Sequence, residues 1–372
     1  MDDIQELGTA ERRLFIHARE KNIPINGSME LLPLCNMNCD MCYVRLTRHE
    51  MEKQGRMRTG SEWLALGREM VDAGVMFLLL TGGEPLMHPD FKEIYLGLKK
   101  MGLVLTVNTN GTLIDEEWAY FFAKHKPRRI NITLYGADER AYQNLCHYSG
   151  GFERTIKAVQ LLRQRNVDVR LGCTLTDSNE ADIDRLFDIA VNLGVPMRMD
   201  PYVMPAIRER DKPFEEQDRM LPERAAKASV LSLKHTMGDL MFEEYCRLMI
   251  GRVDAFQEGV EQLCENGCHA GRCSFTINWQ GKMRPCVVCS EPSADVFEMG
   301  FEAAWRKISS EFQAVRYCAK CSNCRLRPVC RTCALACQLE TGDYLGRPDY
   351  LCRYAAEMER LLRQSLGGES HE

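Results

Sequence analysis

The run Cys35-Asn36-Met37-Asn38-Cys39-Asp40-Met41-Cys42 places three thiols at Cys-x3-Cys-x2-Cys spacing, directly behind an apolar segment, Ser28–Leu34, that reads as a strand. Three thiolates on one tight loop suit an iron–sulfur cube, and a cube with three protein ligands keeps one iron open for a small molecule. Zinc knuckles use similar spacings, so the chain around the loop has to decide between them.

That chain alternates. Further strands are expected over Val75–Leu80, Leu103–Thr109, Arg129–Leu134, Val167–Leu175 and Pro196–Tyr202. Helices are expected between them over Ser61–Ala73, Phe91–Met101, Asp115–Lys124, Phe152–Arg165 and Glu180–Leu193, with Thr9–Lys21 as a lead-in helix. Gly102 and Gly194 fall where helix C-caps belong. This rhythm implies a parallel sheet with right-handed crossovers. Six units fall short of a closed eight-stranded barrel, so the expected fold class is α/β: a partial (β/α)6 TIM-like barrel with its chemistry on the loops after the strands. The cysteine loop then sits at the catalytic end, which favours iron–sulfur over zinc.

Two further patterns point the same way. Thr81-Gly82-Gly83-Glu84-Pro85 ends the second strand; its glycines let backbone approach a ligand closely, and Glu84 can accept from an ammonium group. Polar residues also alternate with apolar ones along the strands: Thr106, Asn108 and Asn110; Asn131 and Thr133; Asp168, Arg170 and Thr174. A lumen lined this way leaves polar groups unsatisfied, at roughly 1–3 kcal/mol each, unless a polar ligand or water fills it. The same alternation turns Cys173 toward the outer core.

The chain has 372 residues, 45% hydrophobic and 27% charged, with a net charge of -5; this is a globular composition that offers nothing to nucleic acid or an anionic membrane. Its longest apolar run, around Val75–Leu80, is far short of the roughly 20 residues that span a bilayer. No secretory signal is visible, so a cytoplasmic protein with reduced thiols is expected. Of 18 cysteines, Cys146, Cys173 and Cys246 are solitary and twelve crowd between Cys264 and Cys352. The expected organisation is a lead-in over residues 1–27, the barrel over 28–204, a charged helical bridge over 205–263, a cysteine-rich domain over 264–355 held by metal more than by apolar core, and a closing helix and tail over 356–372.

The cysteine loop resembles the cluster motif of the radical S-adenosylmethionine (radical SAM) superfamily. It departs in one place: Met41 stands where that family often has an aromatic residue, and Tyr43 follows the third cysteine instead. The resemblance implies that Cys35, Cys39 and Cys42 hold the catalytic [4Fe–4S] cluster. It implies that Gly82, Gly83, Glu84 and Pro85 form the element that holds the amino group of S-adenosylmethionine, with Asn110 and Thr133 near its ribose or carboxylate and Arg170 as a carboxylate partner. Cys268-x12-Gly281-x4-Cys286, Cys321-x2-Cys324-x5-Cys330, then Cys333, Cys337 and Cys352 resemble the SPASM auxiliary-cluster domain, although Ala334 stands where its pattern has a cysteine. That resemblance groups Cys321, Cys324, Cys330 and Cys352 on an outer cluster. Cys268 and Cys286 fall on an inner one with Cys333 or Cys337 and Cys273, which leaves Cys264, Cys289 and Cys318 as non-ligands. The implied activity is formation of a 5′-deoxyadenosyl radical under anaerobic conditions, with an external donor such as flavodoxin or ferredoxin. The implied substrate is a peptide or protein, modified by a thioether or carbon–carbon crosslink or by epimerisation. Alternatives are sulfatase-maturase-like oxidation, tetrapyrrole side-chain modification and, outside enzymes, an electron-transfer or zinc-binding interaction protein.

Overall fold

The computed structural model describes residues 8–204, 206–212, 216–256 and 268–367. Helix α1 (Thr9–Lys21) leads into strand β1 (Asn26–Glu30), and α2 (Arg48–Gln54) and α3 (Gly60–Asp72) precede β2 (Phe77–Thr81). The chain then runs α4 (Phe91–Lys100), β3 (Val104–Thr109), α5 (Glu116–Lys124), β4 (Arg129–Thr133), α6 (Glu139–Cys146), α7 (Gly151–Gln164), β5 (Val169–Thr174), α8 (Ile183–Leu193) and β6 (Met197–Asp200). Strands β1 to β6 are parallel and hydrogen-bonded in sequence order, the open α/β barrel that the alternation implies.

Period-two patterning explains the layers. Leu78, Leu80, Leu105, Val107, Ile130 and Ile132 are buried among helix residues such as Ile94, Leu98, Phe122 and Leu162. The opposite faces carry the polar residues, and these find one another: Asn131 Nδ2 donates to Asn108 Oδ1 at 2.8 Å, and Ser28 Oγ donates to Thr276 Oγ1 at 2.9 Å. Cys173 joins the main apolar core, and burial pushes its thiol up to about 12. Helices α2 and α6 were not expected, although Thr47 and Glu50 form a capping box that announces α2. The first strand also ends earlier than Leu34. Beyond Glu30 the segment donates to β2 only through Leu31 N, to Thr81 O at 2.9 Å; Leu32 and Leu34 take part as acceptors, and Pro33 has no N–H to continue the ladder.

After β6 come a short hairpin, β7 (Ala206–Ile207) and β8 (Asp211–Lys212), and α9 (Pro222–Asp254), interrupted at Gly238. Within the expected bridge, residues 205, 213–215 and 257–263 lie outside the described residues. The cysteine-rich region is not a separate layer. Its β9 (Ser274–Ile277) pairs in parallel with β1, and β10 (Lys282–Arg284) and β11 (Ala294–Asp295) follow antiparallel, giving nine strands in the order β11-β10-β9-β1-β2-β3-β4-β5-β6. Helices α10 (Val296–Met299), α11 (Phe301–Gln313), α12 (Ala319–Ser322), α13 (Ala334–Thr341) and α14 (Asp349–Gly367) complete the chain. Helix α14 runs across the boundary expected at residue 356 and is tied to α9, where Tyr354 Oη donates to Ser229 Oγ at 2.7 Å. No described helix is long and apolar enough to cross a membrane.

The β1–β9 junction depends on a missing side chain. The Phe275 ring fills the space over Gly27, where a Cβ would lie 2.2 Å from Phe275 Cζ. Gly27→Ala is therefore expected to cost about 1–3 kcal/mol through overpacking, read as a lower urea midpoint with an unchanged slope. Full stability in this variant would show that the cysteine-rich hairpin does not close on β1 in this register.

Candidate active site

The cysteine loop is pinned from both sides. On one side, Asn38 N donates to Cys146 O and Asp40 N to Leu145 O, both at 3.0 Å, at the C-terminal end of α6. On the other, Arg210 Nη1 donates to Cys42 O at 2.7 Å, Lys212 Nζ to Asp40 O at 3.0 Å and Gln217 Nε2 to Met41 O at 3.4 Å. Three N–H groups point at sulfur: Met37 N at Cys35 Sγ (3.4 Å), Arg45 N at Cys42 Sγ (3.3 Å) and Asn110 Nδ2 at Cys35 Sγ (3.7 Å).

This donor set fits an iron–sulfur cube. Burial pushes the Cys35 thiol up, and Glu84 and the other two cysteines add to the shift; burial and Cys39 do the same to Cys42. Thiolates held so unfavourably are offset by cationic iron. Among the described residues no three His, Cys, Asp or Glu side chains converge as donors to one ion.

The glycine pair lies close against the chain itself. A Cβ on Gly82 would lie 2.5 Å from Leu32 O, and one on Gly83 would lie 2.3 Å from Leu34 O. Gly83 N donates to Leu32 O at 2.7 Å and Glu84 N to Leu34 O at 2.9 Å. The backbone that these glycines approach is therefore the lead-in to Cys35. Pro85 opens a short 3-10 turn and is buried. Glu84 is fully buried, and its carboxylate accepts from Leu86 N (3.1 Å), Thr109 Oγ1 (2.8 Å) and Asn110 N (2.8 Å), joining the ends of β2 and β3. Burial outweighs these bonds and raises Glu84 to about 7.

Asn110 is also committed locally: its Nδ2 donates to Asn36 Oδ1 at 2.8 Å, and its Oδ1 accepts from Thr112 N and Oγ1. The structure thus brings Cys35, Glu84 and Asn110 together at the ends of β1, β2 and β3. Thr133 ends β4 and Arg170 lies buried in β5, farther round the barrel.

The C-terminal thiols sort into sets. One cavity of about 820 Å³ is lined by Cys321, Cys324, Cys330 and Cys352 together. Burial, with Cys268 and Cys333 adding to it, pushes Cys286 up to about 11, and burial and Cys268 likewise raise Cys333. Cys333 is thus near enough to Cys268, and Cys286 to both, for their charges to be felt, and Cys337 also acts on Cys333. Cys337 packs with Cys318 and Cys321. Cys273 lies in an apolar corner with Phe15, Ala18 and Ile25, its Sγ 3.0 Å from His269 Nδ1. Cys264 lies outside the described residues.

Sequence reasoning missed a buried charge chain beside the loop. Glu30 is 1% exposed and meets Arg208; Arg208 approaches Glu209; and Glu209 Oε1 meets Arg284 Nη2 at 2.8 Å. Burial raises Glu30 despite Arg208. A glutamate closing an apolar strand was the available signal. Cys146, buried against Cys39, carried none.

Comparison with known proteins agrees with this geometry. Residues 29–190 match the model of the Radical SAM superfamily. Over 355 residues the chain is 28% identical to the AdoMet-dependent heme synthase of Methanosarcina barkeri, covering 90% of this chain and 97% of that one. It is 24% identical over 323 residues to the Fe-coproporphyrin III synthase of the same organism, covering 80% and 79%. It is 24% identical over 333 residues to the antilisterial bacteriocin subtilosin biosynthesis protein AlbA of Bacillus subtilis, covering 86% and 69%. The fold is similar to that of Streptococcus suis SuiB bound to precursor peptide SuiA, with a TM-score of 0.67, 17% identity and coverage of 92% and 80%.

Glu84 gives a pH signature. Native Glu84 keeps its proton to about 7, while an unfolded glutamate releases it near 4.5, so between these values the native state binds more protons. Stability of the metal-free protein is therefore expected to fall as pH rises through that window. Glu84→Gln should flatten the slope in urea midpoints measured across it; an unchanged slope would mean that Glu84 is ionised throughout.

Proposed function

Because this chain is a radical SAM enzyme that uses a [4Fe–4S] cluster and S-adenosylmethionine, we propose that its substrate is a tetrapyrrole whose carboxylate side chains it oxidatively decarboxylates. The observation that carries this reading is the end-to-end match to a heme synthase, 90% of this chain against 97% of that one; the bacteriocin protein leaves about a third of its length unmatched.

Heme differs from Fe-coproporphyrin in carrying vinyl groups where two propionates stood. Each change releases one carbon dioxide, one proton and two electrons. When bound, the cluster and S-adenosylmethionine supply a 5′-deoxyadenosyl radical that takes one hydrogen atom from a substrate carbon. Cys35, Cys39 and Cys42 would hold that cluster. Cys321, Cys324, Cys330 and Cys352 would hold an outer auxiliary cluster and Cys268, Cys286 and Cys333 an inner one, supplying one-electron acceptors. The residues of the chain hold, orient and exclude. Glu84 and Asn110 keep the ends of β2 and β3 against the cysteine loop. Arg210 and Lys212 fix the loop backbone. The half-buried polar faces of β3 to β5 offer hydrogen bonds to a polar occupant.

A second reading, modification of a peptide, is favoured by the fold shared with SuiB, whose structure holds a precursor peptide, and by the match to AlbA. One anaerobic incubation separates the two. The reconstituted protein, S-adenosylmethionine and dithionite are supplied with Fe-coproporphyrin III, and products are read by mass. The expected product has lost one carbon dioxide and two hydrogens per converted side chain, with one 5′-deoxyadenosine formed for each, and Cys39→Ala should make neither. An unchanged macrocycle would defeat the tetrapyrrole reading.

Iron content tests the thiol sets. About 12 irons are expected in the loaded wild type, as three cubes of four. Cys330→Ala should lose about four of them, while Cys273→Ala should lose none. Loss on replacing Cys273 would return it to the inner set.

A further inference from the structure

We propose that Arg208 is the docking group for a substrate carboxylate, a role that rests on the tetrapyrrole reading and gives it a place in the molecule. Arg208 sits beside the radical-forming loop: it pairs with Glu30, the last residue of β1, and Arg210, two positions on, holds Cys42 O. Its side chain is only 2% exposed, yet it is half used. Nη2 donates to both Glu30 oxygens, at 2.9 and 3.1 Å. Among the described residues Nε and Nη1 have no hydrogen-bond partner, and Glu209 Oε2 stands 3.5 Å from Nε. Glu209 is already engaged, since its Oε1 accepts from Arg284 Nη2 at 2.8 Å and Asn278 Nδ2 at 2.7 Å.

Buried guanidinium N–H groups without partners call for an explanation; among the described residues Arg45, Arg58, Arg284 and Arg327 leave one each and Arg208 leaves two, room for an acceptor that arrives from outside the chain. A carboxylate oxygen suits the vacancy through a single charge-assisted bond at Nη1, while Nε, on the other edge of the guanidinium, faces the Glu209 side. The cover over the group is one aromatic ring. The Tyr43 ring lies 5.4 Å from the Arg208 guanidinium carbon and follows Cys42 directly, but Tyr43 is only half-buried. An arriving carboxylate takes the place of that ring. This gives Tyr43, the aromatic residue displaced from its usual place in the cysteine motif, a task as the cover of an anion site.

The test measures binding without turnover. Cluster-loaded protein, with no reductant, is titrated with Fe-coproporphyrin III and separately with its tetramethyl ester, and the visible absorbance of the macrocycle reports binding. Wild type should bind the free acid at least tenfold more tightly than the ester. Arg208→Met should lose that preference by weakening the acid alone. Arg208→Met leaves Glu30 unpaired, so Glu30→Gln/Arg208→Met is titrated beside it, with cluster absorbance reporting an intact fold. Variants that keep the tenfold preference, or a wild type that binds both forms equally, overturn the role of Arg208 and leave the tetrapyrrole reading standing. A wild type that binds neither form overturns both.

Discussion

The site depends on one close approach between two backbones. The chain from Leu31 to Leu34 lies against Thr81 to Glu84 through three hydrogen bonds, at 2.9, 2.7 and 2.9 Å, and no Cβ fits at Gly82 or Gly83. This contact carries the parallel pairing of β1 and β2 past the last strand residues, so the cysteine loop and Glu84 leave the sheet in fixed relation. Glu84 passes the register on to β3 through Thr109 and Asn110, and Asn110 passes it back to the loop through Asn36. The motif residues thus form a closed circuit of hydrogen bonds across three strand ends. Cluster ligands must hold their geometry closely to keep an open iron aimed at a small molecule, and a loop fixed at both ends meets that need.

That circuit explains which parts of the molecule the sequence disclosed. Strand–helix alternation and the polar lumen were legible because each follows from a local period. The thiol loop was legible because its spacing is chemical. The neighbour of Gly82 and Gly83 was less legible: a glycine pair reports that something comes close but not whether it is ligand or chain, and here the chain from Leu32 to Leu34 is one such neighbour. The β1–β9 pairing joins residues about 250 positions apart. No local pattern announces such a contact, and the cysteine density of that region pointed to a separate metal-held unit. The choice between Cys333 and Cys337 was likewise a matter of tertiary placement.

The sheet extension changes how the cysteine-rich region relates to the barrel. A unit joined only by a charged bridge could move against the barrel; one that contributes β9 to β11 to the same nine-stranded sheet is held in register with the cysteine loop. Cys286 follows β10 by two residues, so its place relative to β1 is set by backbone pairing. Electron transfer between separate clusters is sensitive to distance, and a shared sheet holds that distance better than side-chain contacts alone.

The charge chain from Glu30 through Arg208 and Glu209 to Arg284 crosses the same junction, tying the end of β1 to β10 through the β7–β8 hairpin. Such a chain is a poor way to gain stability, because desolvating four charges costs about as much as their attraction returns, and apolar replacements are often neutral or better. Its geometry is also incomplete among the described residues, with N–H groups left over on Arg208 and Arg284. An incomplete chain, buried between two thiol sets and covered by a half-buried tyrosine, makes more sense as a site whose last acceptor belongs to another molecule.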